Sequence, residues 1–128
     1  MNCYCGSLKT YSECCEKAHK DSRQAVTAEQ LMRSRYSAFV LANGEYLMHT
    51  HHVSTRPVKE KKAIVAWAKS VQWITLEVLE TFKGLENDTE GTVTFNAYFY
   101  ENGKVDSIHE KSAFVKENNH WKYLGLSH

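Results

Sequence analysis

Two periodicities divide the chain after an unpatterned start. Ala28, Leu31, Met32, Phe39 and Ala42 recur at helical spacing and define the buried stripe of a helix. Thr27 is a good N-cap, Gln30 three residues on completes a capping-box pattern, and Asn43-Gly44 supplies a C-terminal stop. Glu45 to about His49 predicts a second, short helix. A third is expected over residues 58 to 70, with Ile64, Trp67 and Ala68 on one face and Lys59, Lys61, Lys62 and Lys69 mostly on a solvated one. The period then drops from 3.6 to 2. Ile74, Leu76 and Val78 alternate with Thr75 and Glu77, and Val93, Phe95, Ala97 and Phe99 alternate with Thr94, Asn96 and Tyr98.

Two turns set the register of the strands. Asn102-Gly103 is a strong two-residue hairpin signal and Asn118-Asn119 a weaker one. Counting outward from the first places Phe95 opposite Glu110 and Ala97 opposite Ile108; from the second, Phe114 faces Tyr123 and Lys116 faces Trp121. The face with Phe95, Ala97, Ile108, Phe114, Trp121 and Tyr123 is then the apolar one, and Glu110 and Ser112 share it. Arg35 falls in the middle of the helical stripe. An unpaired buried charge is costly, so the economical expectation is that Arg35 and Glu110 meet in a concavity between helix and sheet, the alternative being an Arg35 that snorkels to water. Tyr123, Trp73 and His52 are the expected neighbours of that site. Its fold class is α+β: three N-terminal helices on one side of an antiparallel four-stranded sheet.

The chemistry lies in the unpatterned start. All four cysteines fall between Cys3 and Cys15, as Cys3/Cys5 and Cys14/Cys15. Two close pairs separated by a short loop can fold around one zinc ion, with Gly6 permitting the tight turn. Neither vicinal Cys14-Cys15 nor one-apart Cys3/Cys5 makes an easy disulfide. Cys3, Cys5, Cys14 and Cys15 are therefore expected to hold one structural zinc per chain. His19 competes as fourth ligand, ranked below Cys15. Residues 13 to 20 are expected to form a short helix carrying Cys14 and Cys15. Four thiolates would leave no open position for water or substrate.

Cys-x-Cys-Gly-Ser-x-Lys-x-Tyr-x-x-Cys-Cys resembles the SEC-C zinc motif of the protein-export motor SecA. Later stretches, Leu31 to Phe39 especially, resemble the YchJ-type family of bacterial proteins. That resemblance implies a SEC-C knuckle, residues 1–23, joined to a cone-shaped nuclear transport factor 2-like domain, residues 24–128. In the family pattern one segment reads Thr-Trp-His-Pro-Ser-Thr-Arg-Pro. Here His51 replaces the tryptophan and Val53 the first proline, while His52, Ser54, Arg56 and Pro57 keep the pattern. Family members often carry a second SEC-C motif at the C-terminus, and the stretch ending at His128 shows none.

Composition narrows the function classes. Formal net charge is +1, so no global basic field recruits nucleic acid. In the knuckle, Lys9, Lys17, Lys20 and Arg23 oppose Glu13, Glu16 and Asp21, and a tetrathiolate zinc adds a double negative charge. Strong phosphate-driven binding is not expected. No apolar run approaches the roughly 20 residues of a membrane span, and no secretory signal precedes the cysteines, so the cytoplasm is the expected address. The sequence shows no nucleophile–base spacing, Gly-rich phosphate loop or catalytic metal triad. The leading expectation is a non-enzymatic interaction module whose knuckle docks on a protein or ribonucleoprotein partner; by resemblance, SEC-C motifs are associated with SecB and ribosome contacts. The alternatives are a small-ligand binding protein or a pocket enzyme using the concavity, with Glu110 or a histidine as base. With few contacts expected across residues 20 to 26, the knuckle is expected to fold and unfold apart from the sheet domain.

Overall fold

The computed structural model describes residues 2–127. Four α-helices precede four strands: α1 (Cys15–Lys20), α2 (Ala28–Val40), α3 (Gly44–His49), α4 (Lys61–Ser70), β1 (Gln72–Lys83), β2 (Glu90–Glu101), β3 (Lys104–Glu117) and β4 (His120–Leu126). The strands form one antiparallel sheet in chain order. The core lies between its inner face and α2 to α4. No helix among the described residues is long and apolar enough to cross a membrane.

Both hairpin registers follow from their turns. Asn102 and Gly103 carry positive φ, as the tight turn requires, and Glu101 pairs with Lys104, Phe95 with Glu110 and Ala97 with Ile108. Beyond Asn118-Asn119, Lys116 pairs with Trp121 and Phe114 with Tyr123. Strict alternation fails in β1. The register slips between Trp73 and Thr75, so Ile74 is squeezed out of the ladder and left exposed while Trp73 stays against the core.

The N-cap of α2 forms as the sequence indicates. Thr27 Oγ1 accepts from the Gln30 amide at 3.1 Å, while Gln30 reaches back to the Val26 amide at 2.9 Å. Its C-terminus differs from expectation. The chain turns at Ala42, which has φ +54°, and Asn43 caps the start of α3, its side chain accepting from the Tyr46 amide at 3.1 Å. Gly44 is needed for close approach: a Cβ there would lie 2.6 Å from Val65 Cγ2. Asn43-Gly44 is thus an N-terminal signal placed right after the end of α2.

The knuckle does not stand apart from the rest. Ala18 and Ala25 belong to the same buried cluster as Leu31, Phe95 and Trp121. The Trp121 indole N–H donates to the Val26 carbonyl at 3.0 Å, tying β4 to the segment between knuckle and α2. The few contacts expected across residues 20 to 26 are therefore corrected, because the helix that covers the sheet is covered in turn by the knuckle.

Candidate metal centre and cavity

Gly6, at φ +88°, turns the chain back after Cys5, and its amide donates to the Cys3 carbonyl at 3.2 Å. A 3-10 turn over Tyr11–Glu13 then delivers Cys14. Cys14 is not inside the expected helix. It caps α1 in an irregular conformation, and Cys15 is the first helical residue. This break brings both sulfurs of the adjacent pair to one point.

The four Sγ atoms of Cys3, Cys5, Cys14 and Cys15 all lie within 4.8 Å of one another. Cys5 and Cys14 are 3.7 Å apart, Cys14 and Cys15 3.9 Å. A tetrahedral thiolate shell with metal–sulfur bonds of 2.3 Å has edges of about 3.8 Å, so the donor set fits a metal ion. Ser7 Oγ donates to Cys14 Sγ at 3.2 Å. Hydrogen bonding from Cys15 lowers the Cys5 pKa, and the same contact together with burial raises that of Cys15. Clustered sulfurs that deprotonate unevenly without an ion can all do so around one.

His19 is excluded from the shell by its other bonds. One ring nitrogen meets the Tyr11 hydroxyl at 2.7 Å and the other meets the Ser34 carbonyl at 2.7 Å. Its ring also packs 4.6 Å from that of Tyr46, and burial lowers its pKa. His19 is a strut between knuckle and α2. Two further struts come from α2 itself: Arg33 Nη1 donates to the Cys5 carbonyl at 2.7 Å, and Ser37 Oγ lies 3.7 Å from Cys3 Sγ.

On the other side of α2, a cavity of about 470 Å³ opens between the helices and the sheet. Arg35, Glu110, Tyr123 and Trp73 all line it. His52 does not. Its Nδ1 accepts from the Ser54 amide at 3.1 Å and its Nε2 bonds Glu117 at 2.9 Å, so it is spent on the surface. The neighbouring His51 faces the cavity instead, buried and with Nε2 lacking any partner among the described residues.

Arg35 and Glu110 share this cavity but do not pair; no ion pair to Arg35 forms among the described residues. Arg35 is 7% exposed, so it does not snorkel. Its Nη1 donates to the Leu47 carbonyl at 2.9 Å and to Thr50 Oγ1 at 2.8 Å, and its guanidinium stacks 4.6 Å above the Tyr123 ring. The end of α3 thus supplies what a carboxylate was expected to supply. Glu110 takes a long bond from Ser112 at 3.5 Å; its pKa is raised by burial, against smaller lowering effects of Ser112 and Arg35.

An antiparallel sheet covered by helices around a cavity, with a four-cysteine knuckle, defines a nuclear transport factor 2-like domain carrying a SEC-C-type cluster. Residues 27–125 match the family described as YchJ, middle NTF2-like domain, and the chain belongs to that family. It is 46% identical to a UPF0225 protein of Vibrio vulnificus over 96% of this chain and 72% of that protein. It is 40% identical to one of Geobacter sulfurreducens over 94% of this chain and 75% of the relative. The solution structure of a SEC-C motif containing protein from Rhodopseudomonas palustris is similar at a TM-score of 0.89 and 34% identity, over 99% of this chain and 98% of that one. A crystal structure of a SEC-C motif containing protein from Psychrobacter arcticus gives 0.82 and 32%, over 98% and 82%.

Two predictions follow from the cavity's electrostatics. Arg35→Ala should cost roughly 1–3 kcal/mol from the Leu47 acceptor left without its donor. A double-mutant cycle with Glu110→Gln should show a coupling no larger than ~1 kcal/mol, read by urea unfolding; several kcal/mol would restore the direct pair. His51 should titrate near 4 rather than at its ordinary 6.5, because it is buried and faces Arg35, Arg56 and His52. The folded ring resists protonation, so its contribution to stability is fully present above about 6.5 and is lost as pH falls toward 4. Ring NMR shifts across that window measure it, and an ordinary midpoint contradicts it.

Proposed function

We propose that this chain is a non-enzymatic binding protein with one structural zinc per chain, held by Cys3, Cys5, Cys14 and Cys15. The closed four-sulfur shell carries this reading, since it leaves no position for substrate. The knuckle is the docking element for a protein or ribonucleoprotein partner. Supporting this, the four sulfurs gather on one another while Leu8, in the loop between the two cysteine pairs, is 89% exposed, and Tyr4 of the same knuckle is also exposed. A zinc-rigidified loop presents such an anchor at little entropic cost. The charge count of the knuckle gives no phosphate clamp, so the grip it offers is apolar.

The cavity favours a second reading, a small-ligand binding protein without turnover. Its volume is in the usual range for such sites, about 300–1,000 Å³, and its walls are apolar and aromatic with a few polar groups at one end.

Elemental analysis of protein purified without added metal should give close to one zinc per chain, unchanged by His19→Gln. Leu8→Glu should keep that zinc and lose the partner that the wild-type chain retains in a metal-preserving pull-down. Zinc near zero removes the metal assignment, and an unchanged partner set with Leu8→Glu removes the knuckle as the docking element.

A further inference from the structure

The cavity has an aromatic end and a polar end. At the first, Trp73 is met edge-on by Trp67 and Tyr36, with ring centroids 5.4 and 5.7 Å away. At the second, Arg35 offers five N–H donors, of which only those of Nη1 find protein acceptors among the described residues. The edge formed by Nε and Nη2 is left over, and that edge matches a carboxylate with two parallel hydrogen bonds. His51 stands on the same ring as Arg35. Its centroid is 4.9 Å from that of Tyr123, which the Arg35 Cζ approaches to 4.6 Å. His51 is 9% exposed, and its Nε2 is a buried polar atom with no hydrogen-bond partner among the described residues to offset its desolvation.

We propose that the cavity takes a small planar aromatic carboxylate, its ring against Trp67 and Trp73 and its carboxylate received by Arg35 and His51. This rests on the second reading above, the cavity as a ligand site. A guanidinium whose Nε/Nη2 edge is unpaired, and a neutral imidazole that donates from Nε2 in its Nε2–H tautomer, together suit an anion with two acceptor oxygens. Among the described residues that line the cavity Arg35 is the one fixed cation, which suits a single carboxylate better than a phosphate with two charges. Glu110 does not supply that anion: it makes no ion pair with Arg35, and Ser112 is its hydrogen-bond donor. The walls select shape, because aromatic rings at edge-on angles of 81° to 88° leave faces for a flat ligand.

The test uses 2-naphthoate and its neutral analogue 2-naphthamide on the zinc-loaded full chain, followed by calorimetry and by quenching of the cavity tryptophans. The acid should bind about tenfold or more tightly than the amide, as a charge-assisted pair requires. Arg35→Met should bring the acid down to the level of the amide and leave the amide unchanged. His51→Phe, which keeps a ring against Tyr123, should weaken the acid alone. Should Arg35→Met fail to fold, His51→Phe decides: no loss, or equal loss for both probes, overturns the proposal. Equal affinity of acid and amide for the wild-type chain removes the carboxylate and leaves the cavity as a ligand site. Binding of neither probe removes both.

Discussion

Helix α2 has no free side, and the rest of the molecule depends on how that is resolved. Eight of its thirteen residues are buried, from Ala28 through Ala38. One flank meets the sheet and the cavity; the other meets the knuckle. A helix with two buried flanks cannot be apolar on one and solvated on the other, so polar side chains must be satisfied inside. Ser34 shows how. Its hydroxyl lies 2.6 Å from the Tyr46 hydroxyl and donates to the Leu31 carbonyl at 2.7 Å, while its own carbonyl receives His19. Ser37 is small enough to let Cys3 come close.

The same helix connects two sites that would otherwise be unrelated. Arg33 and Ser37 touch the knuckle, and Arg35 lies between them in sequence but turns into the cavity. Tyr46 of α3 adds a second link, with His19 against its ring and Ser34 on its hydroxyl. Packed side chains, not a tether, thus join the four-cysteine cluster to α2 and α3.

Much of this was legible from residue order, and the failures have identifiable causes. Turn chemistry at Asn102-Gly103 and Asn118-Asn119 placed Glu110 and Ser112 on the inner face, because a two-residue turn leaves no freedom of register. Spacing put Arg35 on the core face, but nothing local could show that the end of α3 would offer the Leu47 carbonyl and Thr50 to its guanidinium. Pairing two lone charges was thus the wrong economy: backbone acceptors reached Arg35 before a carboxylate did. His52 keeps the family pattern but bonds Glu117, whereas His51, at the position where that pattern has tryptophan, faces the cavity. A bulky aromatic there was the signal of a cavity wall. The bulge at Ile74 and the packing of the knuckle on α2 are tertiary outcomes that alternation and composition do not encode.

The coupling of knuckle and domain through α2 is tested most directly by amide hydrogen exchange on metal-loaded and chelator-treated protein. Chelation should raise exchange in α1 and also along α2 and α3, where Arg33, Ser34, Ser37 and Tyr46 lose the knuckle that covers them. Faster exchange confined to the knuckle, with α2 as protected as before, would contradict it.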